Sequence, residues 1–437
     1  MTPLELLRQL LRIDTTNPPG AEEEAAHALE ARLSAGGLKT EIVRSPEGRA
    51  SLIARLEGPT DRPALVLLSH TDVVGAERER WSRDPFGAEV EDGFVWGRGA
   101  LDMKGIAVLH AEAACALGDS GATPTREVIV CAVADEETGG AQGADWLLSE
   151  HGDALGFDDH RPPPEVLGEG AFGLMGVLDV PVMPIALGEK SSLWLDLRAE
   201  GEPGHGSLPP ARQATLNLAR FLSNTAGFGT PRLHPVMREQ FAALGRATSG
   251  TLAALFRALA SPAGGGFVRV VAPQLRRRGA IGALLSDTIS LTMFNAGYKH
   301  NVVPGEATAA LDCRLLPDTE PNDFLEHLRR KAGPFGVDIS ARPPMRSPVS
   351  ERGLLWDALV HASQALDAAC VVVPTISPAM TDVRFFRKRG ATGYGWVPMV
   401  LSPELLTTIH GHDERVPVDE FERAVGAMTA VVERAAG

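Results

Sequence analysis

Gly97-Arg98-Gly99-Ala100-Leu101-Asp102-Met103-Lys104-Gly105 stands between a short β-prone run, Phe94-Val95-Trp96, and a helix-like run from Ile106 to Leu117. That order predicts a tight, glycine-permitted turn at a strand-to-helix junction. In open α/β folds such junctions line the ligand crevice at the carboxyl ends of the strands. A single carboxylate, Asp102, lies inside this one, and we read it as a bridge between two metal ions. Phosphate binding fits less well: the third glycine of the dinucleotide spacing is missing, and Lys104-Gly105 is not the Gly-Lys-Ser/Thr of a Walker loop. A purely structural turn is the other alternative, so the neighbouring stretches decide.

Working outward, the apolar run Leu65-Val66-Leu67-Leu68 has the character of a strand covered on both faces, and it ends in His70-Thr71-Asp72. Residues two apart on an extended segment share a face, which lets Asp72 hold His70 in one tautomer for metal ligation. A second buried run, Val128 to Ala134, ends in Asp135-Glu136-Glu137-Thr138-Gly139-Gly140. Three adjacent acids repel one another unless cations or protons intervene, although an acidic turn is often simply solvated. Further along, Val166-Leu167-Gly168-Glu169-Gly170 sets one more acid between glycines, and Ile409-His410-Gly411-His412-Asp413-Glu414 stands near the end. Strand-end clusters of His, Asp and Glu within one doubly wound pattern point to a metal site.

The totals bound what the chain can be. Its 437 residues exceed the roughly 250–300 at which a single core stops growing, so two domains are expected. A formal net charge of −14 argues against a nucleic-acid partner, whose phosphates would be repelled. No stretch approaches the roughly 18 apolar residues of a membrane span, and the start, Met1-Thr2-Pro3-Leu4-Glu5, lacks a basic region followed by an unbroken apolar one. Cys115, Cys131, Cys313 and Cys370 form no Cys-x-x-Cys pair and sit in apolar runs, which suits buried thiols in a reducing, cytoplasmic compartment.

The order of elements predicts an α/β catalytic domain with a mixed, mostly parallel sheet flanked by helices, formed by residues 1–191 and 342–437. Between them, residues 192–341 read as a smaller βαββαβ, ferredoxin-like unit: strands at 193–199, 288–294, 306–315 and 337–341, with helices at 211–222 and 322–332. An insertion at about residues 224–282, partly helical and containing Gly264-Gly265-Gly266 and Arg276-Arg277-Arg278, has no role evident from sequence.

With His70-x-Asp72, the Gly97–Gly105 turn, Glu136-Glu137, Glu169 and His410 in this order, the chain resembles the di-zinc metallopeptidases that include aminoacylases, glutamate carboxypeptidases, acetylornithine deacetylases and succinyl-diaminopimelate desuccinylases. The resemblance covers almost the whole chain, including Gly204-His205-Gly206-Ser207 and Asn301-Val302-Val303-Pro304-Gly305-Glu306 leading to Asp312-Cys313-Arg314 in the smaller unit. It implies that Asp102 bridges two divalent ions, that His70 and Glu169 complete one site and Glu137 and His410 the other, and that Asp72 orients His70. It further implies Glu136 as general base, His205 as a donor to the tetrahedral oxygen, and Arg314 with Asn301 as the hold on a substrate carboxylate. Sequence physics alone orders neither Glu136 and Glu137 nor His410 and His412. Imidazole and carboxylate ligands without thiolates suit Zn2+, with Co2+ or Mn2+ less selectively.

The expected activity is therefore hydrolysis of an amide or peptide bond in an N-acyl amino acid or small peptide. In compact dimeric members the lid histidine reaches the partner's site, which implies a homodimer through the lid; the longer insertion of this chain offers the alternative of lid contacts within one chain. One departure is Ala379-Met380-Thr381-Asp382, where glycines usually precede the Thr-Asp pair and permit close backbone approach. Two competing readings are a metal-binding homologue without catalysis, opposed by the presence of every ligand and the base, and an aminopeptidase, opposed by Arg314, which favours a carboxylate. Arg314 has a plainer reading as well, since Asp312 two residues earlier faces the same way and offers it an ion pair.

Overall fold

A computed structural model describes residues 1–176, 178–276 and 280–437. Two sheets organise the chain. The larger has eight strands in the order Lys39–Arg44, Ala50–Leu56, Val128–Val133, Leu65–His70, Glu165–Leu174, Thr392–Leu401, Val182–Glu189 and Val371–Ser377. Its centre is parallel: Leu65–His70 runs alongside both Val128–Val133 and Glu165–Leu174, and Thr392–Leu401 alongside Glu165–Leu174. Both runs read as buried strands, Leu65–His70 and Val128–Val133, are buried at every residue. The reason is that helices cover both faces, Lys104–Asp119 among them, and Leu147, Val383 and Phe386 lie in a separate apolar cluster that also takes in Val66, Leu68 and Ile129.

The smaller sheet is antiparallel, in the order Gly227–Phe228, Thr288–Ala296, Glu306–Leu315, Ser191–Glu200, Val337–Ala341. Apart from the two-residue strand at one edge, this is the strand order of a ferredoxin-like βαββαβ unit, and Ala214–Ser223 and Pro321–Ala332 supply its helices. Leu195, Leu197, Phe221, Leu311 and Leu328 form its own core.

The insertion lies mainly against the larger sheet. Its helices Pro235–Ala247, Gly250–Ala260 and Gly264–Arg276 bring Val236, Met237, Phe241, Leu244, Leu259 and Val268 into the large core, and Gln240 bonds Thr375 on the edge strand Val371–Ser377. An edge strand that would otherwise expose apolar side chains is thereby covered. Arg277 and Arg278 of the arginine run lie outside the described residues. Among the described residues no helix is long and apolar enough to cross a membrane, and all four cysteines are buried and unpaired.

Phe241 is buried and stacks on Phe256 with ring centroids 5.8 Å apart. Phe241→Ala should cost about 3–5 kcal/mol in a denaturant titration, the scale of a truncated core aromatic. A loss below about 1 kcal/mol would make the insertion a peripheral appendage, the scale of a typical surface change.

Candidate metal centre

The sequence-predicted ligands converge at the carboxyl ends of the parallel strands. Asp102 stands between two imidazoles: His70 Nε2 is 3.2 Å from its Oδ1 and His410 Nε2 is 3.0 Å from its Oδ2. Glu169 Oε1 lies 3.7 Å from His70 Nε2, and Glu137 Oε2 lies 3.3 Å from His410 Nε2. Two groups result, His70–Asp102–Glu169 and Asp102–Glu137–His410, each with its ligand atoms within 4.8 Å of one another, and they share one carboxylate. His412 belongs to neither group.

Local structure fixes each ligand. Gly99 turns the chain at φ +91°, a conformation that favours glycine. A Cβ on Gly105 would sit 2.3 Å from the Ala100 carbonyl, so the helix can begin this close to the turn only at glycine. Glu414, fully buried, accepts from the backbone N–H groups of Gly99 (3.1 Å), Leu101 (2.8 Å) and Asp102 (3.1 Å) and from Arg98 Nη1 (2.7 Å). Lys104 Nζ, also buried, donates to the Leu10 and Ile13 carbonyls at 3.1 and 2.7 Å. His410 adopts φ +56°, an uncommon conformation for a side-chain-bearing residue that recurs at functional sites.

Asp72 ties the site together. His70 Nδ1 lies 2.9 Å from the Asp72 carbonyl and 3.4 Å from its carboxylate, which turns Nε2 toward Asp102. The same carboxylate accepts from the backbone N–H of Glu136 at 3.2 Å and of Glu137 at 3.1 Å, and from Asn17 Nδ2 at 2.8 Å. The three adjacent acids avoid one another by facing apart. Asp135 pairs with Arg49 Nη1 at 3.0 Å, Glu137 faces His410, and Glu136 Oε1 lies 3.9 Å from Arg384 Nη1.

The electrostatics are those of a site built for cations. Burial, then the Asp382 charge, raises the Glu136 carboxyl well above its ordinary range, and burial with Asp102 does the same to Glu169. Burial, with Asp72 and Asp135 adding to it, pushes Asp382 up to about 7. His410 is raised to about 10 by its hydrogen bonds to Asp102 and Glu137; His70 is raised despite burial, through Asp102 and Asp72. Burial opposes ionisation of Asp102, but His410 and His70 outweigh it and lower its pKa. Glu137 Oε1 is buried with no protein partner, a lone acceptor on a residue whose other oxygen faces His410. Imidazole and carboxylate donors with an orphaned oxygen fit hard or borderline divalent ions.

The smaller unit behaves differently. His205 pairs backbone-to-backbone with Val302, Gly206 N–H donates to the Asn301 carbonyl at 2.9 Å, and His205 Nδ1 lies 2.7 Å from Ser207 Oγ. His205 and Asn301 thus come together, exposed, on a two-stranded ribbon. Arg314 grips Asp312 in a fork, Nε to Oδ1 at 2.9 Å and Nη2 to Oδ2 at 3.0 Å. None of the three lines the cleft of about 580 Å³ that opens over Asp102, Glu136, Glu137, Glu169 and His410.

A family model described as peptidase family M20/M25/M40 matches residues 66–434. The chain belongs to this family. It is 30% identical to aminoacylase-1 of Sus scrofa, over 98% of this chain and 93% of that protein, and 29% identical with the same coverage to aminoacylase-1 of Mus musculus. Among solved structures, an M20 family metallo-carboxypeptidase from Sulfolobus solfataricus superposes with a TM-score of 0.75 at 21% identity, covering 99% of both chains, and so shares the fold. As a member of this family the chain is a metal-dependent hydrolase of amide or peptide bonds.

The pKa directions fix how the metal-free protein responds to pH. Asp382 holds a proton when folded that it releases when unfolded, so its contribution to stability falls as pH rises from about 4 through about 7, and Glu136 and Glu169, raised in the same direction, act with the same sign. His410 adds stability that is complete below about 6.5 and is lost as pH climbs toward about 10, and His70, also raised, acts with the same sign. Asp102, with its lowered pKa, keeps its contribution throughout that range. Divalent ions need these ligands deprotonated, so the gap in melting temperature between metal-loaded and chelated protein should widen from pH 5.5 to 8.5 by differential scanning fluorimetry. A gap that narrows over that range would contradict the cluster's assignment to metal.

Proposed function

We infer that the chain hydrolyses the amide bond of an N-acyl amino acid or small peptide that carries a free carboxylate, using two divalent ions, Zn2+ in preference to Co2+ or Mn2+. His70, Asp102 and Glu169 would hold one ion and Asp102, Glu137 and His410 the other. The observation that carries this reading is that Glu136 lines the same cleft as the ligands yet belongs to neither ligand group, which leaves it free as a base. When bound, the ions supply Lewis acidity and a water of lowered pKa. Glu136 then takes the proton from the attacking water and passes it to the leaving nitrogen. Asp72 acts by positioning: through His70 on one side and the Glu136 and Glu137 backbone on the other, it sets ligands and base in one frame.

Residues 1–191 and 342–437 would form the catalytic domain and residues 192–341 the lid. From the lid, His205 would donate to the carbonyl oxygen, while Arg314 and Asn301 hold the substrate carboxylate. These three stand apart from the chain's own cleft, which supports a homodimer in which a lid serves the partner's site. The outer edge of Thr288–Ala296 supports it further. Among the described residues this strand is paired with Gly227–Phe228 only at Thr288 and Ile289, and Leu291, Met293 and Phe294 beyond are exposed. An open strand edge with apolar side chains is a surface that a second copy can extend. Separated, buried thiols suit a cytoplasmic setting.

Glu136→Gln should retain two metal ions and the native melting temperature while lowering kcat by on the order of 10² or more on N-acyl amino acids. Glu137→Gln should lose metal in an equilibrium dialysis that Glu136→Gln survives. The reverse pattern would exchange base and ligand.

A further inference from the structure

Away from the carboxylates, the same cleft continues into a chamber of apolar side chains. Phe172, Leu174 and Val182, with Leu284, Ile376 and Leu406, supply its apolar lining. Two polar side chains reach it from the seam between the insertion and the sheet, and they bond each other, Thr375 Oγ1 to Gln240 Oε1 at 3.1 Å. Among the described residues no Lys or Arg lines the chamber, and Arg314 and Asn301 lie outside it. A substrate carboxylate would lose its hydration there without gaining a cation, so the charged half of the substrate is directed elsewhere. At about 580 Å³ the cleft has the size of a pocket for a drug-sized ligand, far more than an acetyl group fills.

We propose that this chamber is the acyl site, that it takes a medium-length or long aliphatic acyl chain, and that the segment around residues 224–284 is the part of the chain that builds it. The proposal rests on the amide-hydrolase reading and adds the substrate class. Gln240 and Leu284 come from that segment, which is locked to the catalytic sheet through Met237, Phe241 and the Gln240–Thr375 bond. The chamber therefore stays with the metal centre instead of moving with the lid. Met380, which stands where glycines are usual, also lines it and adds apolar surface.

Burying one methylene favours binding by about fourfold. With metal-loaded full-length protein and N-acyl glycines of increasing chain length, kcat/KM for release of glycine should climb at about that rate per methylene from acetyl through hexanoyl. Leu284→Arg and Leu406→Trp should lower the hexanoyl-to-acetyl ratio by at least about tenfold, a ratio in which partial loss of folded enzyme cancels. Acetyl turnover with a flat or falling chain-length profile overturns the acyl site. So does a gain that follows the amino-acid side chain, in N-acetyl-leucine over N-acetylglycine, but not the acyl chain. If no N-acyl amino acid is cleaved, the N-acyl amino acid reading fails, and binding decides the chamber separately: octanamide should bind more tightly than acetamide by calorimetry and lose that advantage in Leu284→Arg. Equal binding of the two amides overturns the proposal.

Discussion

One carboxylate shared between two imidazoles is the constraint on which the rest of the structure depends. Asp102 presents one oxygen to His70 and the other to His410, residues that come from opposite ends of the chain. To hold it there, three successive devices converge on the turn before it: Gly99 in a left-handed conformation, Gly105 against the Ala100 carbonyl, and Glu414 accepting from three backbone N–H groups. Glu414 is itself offset by Arg98, buried at 2.7 Å. An acid four residues beyond His410 thus holds the turn that carries Asp102, which ties the segment of the carboxyl-terminal ligand to the bridging carboxylate. Removing one partner from a buried ion pair leaves an uncompensated charge at a cost of about 3–5 kcal/mol, which makes this a rigid joint.

The second consequence is electrostatic. Asp72, Asp102, Asp135, Glu136, Glu137, Glu169 and Asp382 crowd the ends of a few parallel strands, where buried like charges are costly. Each acid with a structural task has a cation or donor set of its own: Arg49 for Asp135, Asn17 and backbone N–H groups for Asp72. Glu136 and Glu169 instead carry raised pKa values, and Glu137 keeps an unpartnered oxygen. Asp72 and Asp135 are thus satisfied within the protein, while Glu137 and Glu169, with the shared Asp102, are the acids of the two ligand groups.

Much of this was legible in the sequence. Continuous apolar runs ending in His70-Thr71-Asp72 and Asp135-Glu136-Glu137 marked buried parallel strands whose polar ends face one crevice, and the βαββαβ succession of elements marked the smaller antiparallel unit. What stayed hidden was long-range and polar. Glu414 reads as part of a solvated acidic turn because its partners lie more than 300 residues away, and Asn17 hides in a proline turn whose local signal is conformational. The insertion's place against the sheet was illegible because helical periodicity shows that a face is buried and not what buries it; Gln240 meeting Thr375 across 135 residues is a tertiary event. Arg314 shows the opposite difficulty, since the ion pair with Asp312 that spacing allowed is the contact the structure makes.

The bridging role of Asp102 is the central claim, and anomalous diffraction from crystals of zinc-loaded protein at the zinc edge tests it most directly. Two peaks should appear on either side of the Asp102 carboxylate, one bounded by His70 and Glu169 and the other by Glu137 and His410, within the roughly 3.5–4 Å separation of two-metal sites. A single peak, or a second one that does not touch Asp102, would contradict the account.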